Sequence, residues 1–386
     1  MATLARGLEL EFRTSRAKAR AMLFGHVGLL ESYFDGEVDL RADLRRTLAA
    51  AIAAGIDAPV PLVKLRNLWH ELRFSNASRE HALRNAPLHY GLTTEFYRAW
   101  LDAELMMYTC AYWKDGVRTL EEAQRAKAEL VCRKILLAPG ETVADVGCGF
   151  GGFMFHARER HGACVTGVNA TAAQVDAVRA EIARRGLGDG LRVVEGDFRE
   201  PLGEYDKLVS LGVLEHAGRD QLGEVIAAHA RLLRPGGLGL LQFIGHVGRE
   251  PTEFFIRKYV FPGGWIPSLA DVVVAMEAAG LEVLDVENLR RHYAETLDAW
   301  AERFDRNWER IQALDPGRFD ERFRRIWRTY LYGCAELFRS PASRTHLFQV
   351  TFSRGNVPWE GFPRTRDYIY GRQTDAQAAD RHRRLG

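Results

Sequence analysis

The stretch VADVGCGFGG at residues 143–152 places an acid, Asp145, ahead of Gly147, Gly149, Gly151 and Gly152. Glycines at this spacing let a backbone turn tightly and approach a ligand closely. A nicotinamide-binding loop of the G-x-G-x-x-G type needs an acid about 20 residues further on for the ribose. Here the second apolar run, in VTGVNATAAQ, ends at Asn169, while the acids lie at Asp145 and at Asp197 in EGDF. The glycines alone leave a nicotinamide cofactor open, and the position of the acids speaks for a different ligand. Further downstream, Glu215 in SLGVLEHAG follows an apolar run and is either a surface acid or a carboxylate at the ligand-bearing end of a sheet. His216 beside it reads as structural. Gln242 in LLQFIG stands at a strand end, where its amide can donate and accept hydrogen bonds but cannot titrate. Tyr293 in HYAETLDAW reads equally as core or site.

Five cysteines (Cys110, Cys132, Cys148, Cys164, Cys334) show no C-x-x-C spacing, which argues against a metal ribbon or a disulfide framework and for a reducing cytosol. No metal is expected.

The elements that position these residues follow from patterning. From residue 120 onward, apolar runs (TVADVG, CVTGVN, LRVVEGD, KLVSLGV, LGLLQFI) alternate with helical stretches, the first of them opened by an N-cap at Thr119. Such alternation predicts an α/β domain with a parallel sheet and ligands beyond the carboxyl ends of its strands. Upstream, residues 1 to about 57 read as helical, and a linker-like stretch follows to about residue 85. Next comes an aromatic cluster of Tyr90, Phe96, Tyr97, Trp100, Tyr108, Tyr112 and Trp113, read as core. The stripe Leu297, Trp300, Phe304, Trp308, Ile311 has helical spacing and reads as core or as the wall of a tunnel.

The chain has 386 residues, 47% of them hydrophobic, enough for one large or two modest domains. A formal net charge of +2 gives no sign of a nucleic-acid partner. Basic residues do gather at the ends, from Arg6 to Arg20 and from Arg364 to Arg384, as solvated tails or as contacts to anionic lipid. The most apolar stretch, LRRTLAAAIAAGIDAPVPLV, is broken by charges, glycine and prolines well short of the roughly 20 residues a membrane span needs. Any membrane contact is therefore expected to be peripheral.

Seven segments, HYGLTTEFYRAWLD, MMYTCAYW, LEEAQRAK, ADVGCGFGG, SLGVLEHAG, KYVFPGGWIPSL and HYAETLDAW, resemble in order and spacing the cyclopropane-fatty-acid synthases and the related mycolic acid cyclopropane synthases and methyltransferases. The resemblance spans roughly residues 85–353 and more loosely the N-terminal region, where ESYFDGEVD is similar to the family's small first domain. It implies an α/β class I S-adenosylmethionine (AdoMet) methyltransferase with a Rossmann-like sheet. Residues 1–75 would form a small helical N-terminal domain, and residues 76–386 the methyltransferase domain with lipid-binding insertions.

The resemblance also implies an activity, transfer of the AdoMet methyl group to the double bond of an unsaturated phospholipid acyl chain by way of a carbocation. Tyr108, Thr109, Gly147, Gly149, Asn169, Gln174, Asp197 and Phe198 would line AdoMet, with Asp145 and Gly151 in the same loop; Asn169 stands where the family usually has Thr. Cys110, Glu215, Ile244 and Tyr293 match positions around a bound bicarbonate, the family's proposed base. Gln242 replaces the family's usual His, and the departure bears on where the cation loses its proton. Loss from the new methyl closes a cyclopropane; loss from a neighbouring carbon leaves a methyl-branched alkene or a methylene group. A non-catalytic lipid- and AdoMet-binding protein is the reading of another class. A homodimer in the cytoplasm, docked on the inner face of the membrane, is expected on the same grounds.

Overall fold

The computed structural model describes residues 9–55, 60–74, 92–197 and 203–370. The N-terminal helices are accompanied by a ribbon that apolar periodicity did not announce: β1 (Leu10–Phe12) pairs antiparallel with β2 (Val38–Leu40). Between them runs α1 (Ser15–Phe34), capped where Thr14 Oγ1 accepts from Ala17 N at 3.0 Å and broken at Gly25, whose φ of 54° no helix tolerates. After α2 (Leu44–Ala53) comes α3 (Pro61–Phe74), a helix inside the stretch read as linker-like. Its proline occupies the first turn, where a missing N–H costs nothing.

A short α4 (Thr94–Arg98) leads to α5 (Leu120–Lys134), which Thr119 and Glu122 close with a reciprocal capping box. The large sheet follows: β3 (Thr142–Val146), β4 (Cys164–Asn169), β5 (Leu191–Glu195), β6 (Tyr205–Leu211), β7 (Leu233–His246), β8 (Leu281–Asn288) and β9 (Thr345–Arg354), in the order β5-β4-β3-β6-β7-β9-β8. Helices α6 (Gly152–His161), α7 (Ala172–Arg185) and α8 (Leu222–Leu232) make the crossovers of its parallel part. The expectation of a parallel sheet needs one correction, because β9 runs antiparallel to both β7 and β8. Strand order reverses beside β3, so the crevice for a ligand lies beyond the ends of β3 and β6.

After β7 the chain continues through α9 (Leu269–Ala278). Between β8 and β9 it inserts α10 (Arg290–Arg306), α11 (Trp308–Leu314) and α12 (Glu321–Arg339). The stripe Leu297, Trp300, Phe304, Trp308, Ile311 is buried there, against Phe96, Tyr97 and Trp100. Phe96 stacks on Phe319 at 5.2 Å and meets Trp327 edge-on at the same distance. Removing any one such ring would cost about 3–5 kcal/mol. No described helix is long and apolar enough to cross a membrane.

One buried acid ties the N-terminal helices to the rest. Glu31 of α1 accepts from Arg20 at 3.1 Å, from Arg66 of α3 at 2.7 Å, and from Lys258 at 2.7 Å and Tyr259 at 3.2 Å in the π-helical turn Ile256–Val260. Burial alone would raise its pKa; the hydrogen bonds and charges of Arg66 and Lys258 more than offset that and lower it to about 2. A carboxylate with a depressed pKa stabilises the fold above its unfolded value, and that support is lost as pH falls toward about 2. Replacing Glu31 with Gln should cost about 3 kcal/mol near neutral pH, since it strands several cations around one amide. Hydrogen exchange should quicken in 61–74 and 253–260 of the variant; unchanged exchange there would show that the helices are held by other means.

Candidate active site

At the end of β3 the chain enters the glycine loop with Gly147 at φ 74° and Gly149 at φ 54°. A Cβ on Gly147 would lie 2.3 Å from Val213 Cγ2, so only glycine fits that turn. The N–H groups of Gly147 and Cys148 bond to Val168 O of the neighbouring strand at 2.8 and 3.1 Å. Gly151, in the left-handed region, then opens α6 with no side-chain cap, which leaves the positive helix end turned toward the loop. Asp145 lies buried beneath, with Oδ2 lacking any hydrogen-bond partner; burial pushes its pKa up to about 7 against the pull of Lys127.

Asn169 holds the loop from the end of β4. Its Nδ2 donates to Gly149 O at 3.0 Å and to Gln174 Oε1 at 2.9 Å, and its Oδ1 accepts from Thr171 N at 3.0 Å. Asn169 and Gln174, both expected at the cofactor, thus brace the loop that would hold it. Asp197 is buried just past β5. Phe198 lies outside the described residues. The cradle that any Cβ would fill, the uncapped helix end and the orphaned Asp145 oxygen suit a small cofactor bound through close backbone contact.

Opposite the loop, Asp102 shapes the segment that carries Tyr108 and Thr109. Its carboxylate accepts from the N–H groups of Leu105, Met106 and Met107 at 2.6, 3.1 and 2.8 Å, and Met106 takes the unusual φ of 52°. The fully buried Lys127 donates to Thr109 Oγ1 at 2.8 Å, and desolvation brings its pKa down to about 8. Tyr108 bonds to the Tyr330 hydroxyl at 2.9 Å and meets Trp100 and Trp300 edge-on at 5.0 and 5.3 Å.

These walls enclose a cavity of about 670 Å³, and Cys110, Glu215, Gln242, Ile244 and Tyr293 all line it, with Tyr108 and Thr109. Gly212 connects it to the glycine loop, since it lines the cavity and precedes Val213, which fills the space against Gly147. Glu215 sits in a short turn after β6. Its Oε1 accepts from Ile244 N at 2.6 Å, while its buried Oε2 has no partner, and desolvation raises its pKa to about 7. Cys110 donates through Sγ to Ala111 O at 3.2 Å, and burial pushes its thiol well up, so it is no nucleophile. Tyr293, whose hydroxyl is likewise raised by burial, packs on Phe338 at 4.8 Å. Burial keeps His216, also on the wall, neutral with a pKa of about 4.

Gln242 answers to a network that the sequence did not reveal. It faces Gln349 across the β7–β9 pair, and its Oε1 accepts from Gln349 Nε2 at 2.9 Å. Gln349 Oε1 in turn accepts from the fully buried Lys134 Nζ at 2.9 Å, and Lys134 pairs with Glu287 at 2.5 Å. An ammonium can only donate, so the polarity of both amides is fixed. Gln242 is left with its NH₂ for the cavity. His246, two residues past Ile244, also lines the cavity and was missed. Strand alternation places 242, 244 and 246 on one face, a signal that was available. Tyr330 and His26 were missed because they arrive from distant helices.

Comparison with known proteins agrees with this geometry. Residues 77–350 match the family described as mycolic acid cyclopropane synthetase. A probable fatty acid methyltransferase of Pseudomonas putida is 38% identical over 295 residues, covering 73% of this chain and 72% of that protein. The cyclopropane-fatty-acyl-phospholipid synthase of Escherichia coli (strain K12) is 34% identical over 345 residues, 87% of this chain and 85% of that one. A solved mycolic acid cyclopropane synthase in complex with SAH and CTAB superimposes with a TM-score of 0.65 at 33% identity, covering 70% of this chain and 98% of its own. The sheet is therefore that of the class I AdoMet methyltransferases, and the chain belongs to the mycolic acid cyclopropane synthetase family.

Proposed function

We propose that the protein transfers the methyl group of AdoMet to the double bond of an unsaturated fatty acyl chain on a phospholipid and closes a cyclopropane. The observation that carries this reading is Glu215 on the wall of a largely apolar cavity beside the glycine loop, its buried Oε2 without a hydrogen-bond partner. AdoMet supplies an electrophilic methyl on a sulfonium, which the electron pair of an alkene can take. Gly147, Gly149 and the open end of α6 would hold its amino acid portion, and Asp197 would serve the far end of the same crevice.

An alkene is a weak nucleophile, and its methylation leaves a cation that water would trap. Tyr108 and Tyr330 line the cavity, with Trp300 packed edge-on against Tyr108, and they offer ring faces and oxygens that stabilise positive charge. Gln242, Tyr293 and Glu215 all line this cavity, and the Gln242 amide and the Tyr293 hydroxyl would donate to a small oxyanion such as bicarbonate bound there. Glu215, with a pKa near 7, is matched to receive the proton that the new methyl releases as the ring closes. A second reading, a methyl-branched or methylene product, is favoured by Gln242, which donates where a histidine would accept, and by the name of the Pseudomonas putida relative. A homodimer at the inner face of the membrane belongs to the same proposal.

Incubating the protein with AdoMet and a cis-unsaturated phospholipid should give a lipid heavier by one methylene with no remaining alkene; an unchanged lipid contradicts the proposal. Because the raised Glu215 pKa keeps the carboxyl protonated at lower pH, turnover should climb with pH through about 7. Glu215→Gln should lose about a hundredfold or more in rate and the rise with it. A variant as active as the parent would remove Glu215 from the chemistry. Gln242→His restores a titratable group and should move the ratio of cyclopropane to branched product, read by gas chromatography with mass detection. An unaltered ratio and rate would count against a role for position 242.

A further inference from the structure

Helix α3 is amphipathic with its faces reversed. Its polar side turns inward: Arg66 bonds to Glu31 and lies over the Phe24 and Phe254 rings at 4.9 and 5.1 Å, and Asn67 Oδ1 accepts from Arg257 at 2.8 Å. His70 is buried against Phe254 at 5.7 Å. The apolar residues Leu62, Leu65, Leu68 and Trp69 turn outward, with Leu65 63% and Trp69 62% exposed. Met22 and Leu23 of α1, which packs on α3, are exposed as well. Together these are six of the eleven large apolar side chains exposed among the described residues. A concentration of this kind marks an interaction surface rather than chance exposure.

The cavity reaches the same helix. Val63, Lys64, Asn67 and Leu68 line it, and Leu68 also belongs to the exposed face. We infer that α3 lies in the interfacial plane of a phospholipid leaflet with Leu62, Leu65 and Trp69 immersed, and that the acyl chain passes from the leaflet into the cavity past Leu68. The inference rests on the lipid-substrate reading above. Continuity of the apolar face with the substrate cavity favours a lipid surface over a second copy of the chain. So do the residues at its edge: Trp69 is of the type that settles at the headgroup level, and the exposed Lys64 and Lys18, the latter one turn before Met22, suit anionic headgroups.

The test uses vesicles of phosphatidylethanolamine and phosphatidylglycerol with cis-monounsaturated chains, and the double variant Leu65→Gln/Trp69→Gln, which alters only exposed positions outside the cavity lining. Sedimentation with vesicles should fall by roughly tenfold or more, with turnover on vesicles falling in step, while turnover on dispersed short-chain unsaturated phospholipid stays within about twofold. Leu65→Phe/Trp69→Phe should keep binding. Unchanged vesicle binding in the glutamine variant overturns the inference, as does an equal loss on vesicles and dispersed lipid. A switch from dimer to monomer in the ultracentrifuge with vesicle binding intact would assign the face to a second copy. Parent protein that binds vesicles through this face yet methylates no lipid would uphold the docking surface and overturn the enzymatic reading instead.

Discussion

A carboxyl group kept from water, with one oxygen tied and the other buried without a partner, is the constraint around which this molecule is arranged. Burying Glu215 disfavours its charge and lifts its pKa to about 7, which suits it to exchange a proton near neutral pH. The Ile244 N–H at 2.6 Å fixes Oε1, so the direction of Oε2 follows from the position of β7. That strand is held on both sides, parallel to β6 and antiparallel to β9. The aromatic layer from α4, α10 and α12 supplies the dry walls without which a buried acid would simply hydrate. Loop, strand and aromatic layer come from distant parts of the chain, and only the assembled sheet brings them to one cavity.

Much of this was legible beforehand. Five parallel strands and their helices announced themselves because fully buried strands are continuous apolar runs and their crossovers carry helical periodicity. The Thr119 cap and the glycine loop were equally plain, since both depend on local chemistry. The antiparallel β9 was not, because pairing direction is a tertiary property that no local pattern records. The ribbon of β1 and β2 has three residues per strand, too few for a period to show. Helix α3 escaped notice for a physical reason: reading apolar residues as inward-facing fails where polar ones pack on Glu31 and Phe254 and apolar ones face out.

The site was legible in its residue types and obscure in their partners. Resemblance brought Cys110, Glu215, Gln242, Ile244 and Tyr293 into view, and they line one cavity. It did not show that Asn169 spends its amide on Gly149 and Gln174, or that Lys134 and Gln349 set the orientation of Gln242. A chain of amides anchored on an ammonium makes position 242 a fixed donor. An amide there offers no titratable proton acceptor while keeping a polar contact for an anion, and His246 and His216 stand on the cavity wall.

The central claim is that the cation formed on the acyl chain gives up a proton from the newly added methyl inside a dry cavity. Supplying AdoMet with a fully deuterated methyl group and weighing the lipid product tests this directly. Ring closure at that carbon predicts a product that keeps two of the three deuterium atoms and has no alkene. A product that keeps all three, or one that carries a hydroxyl from captured water, would contradict the account.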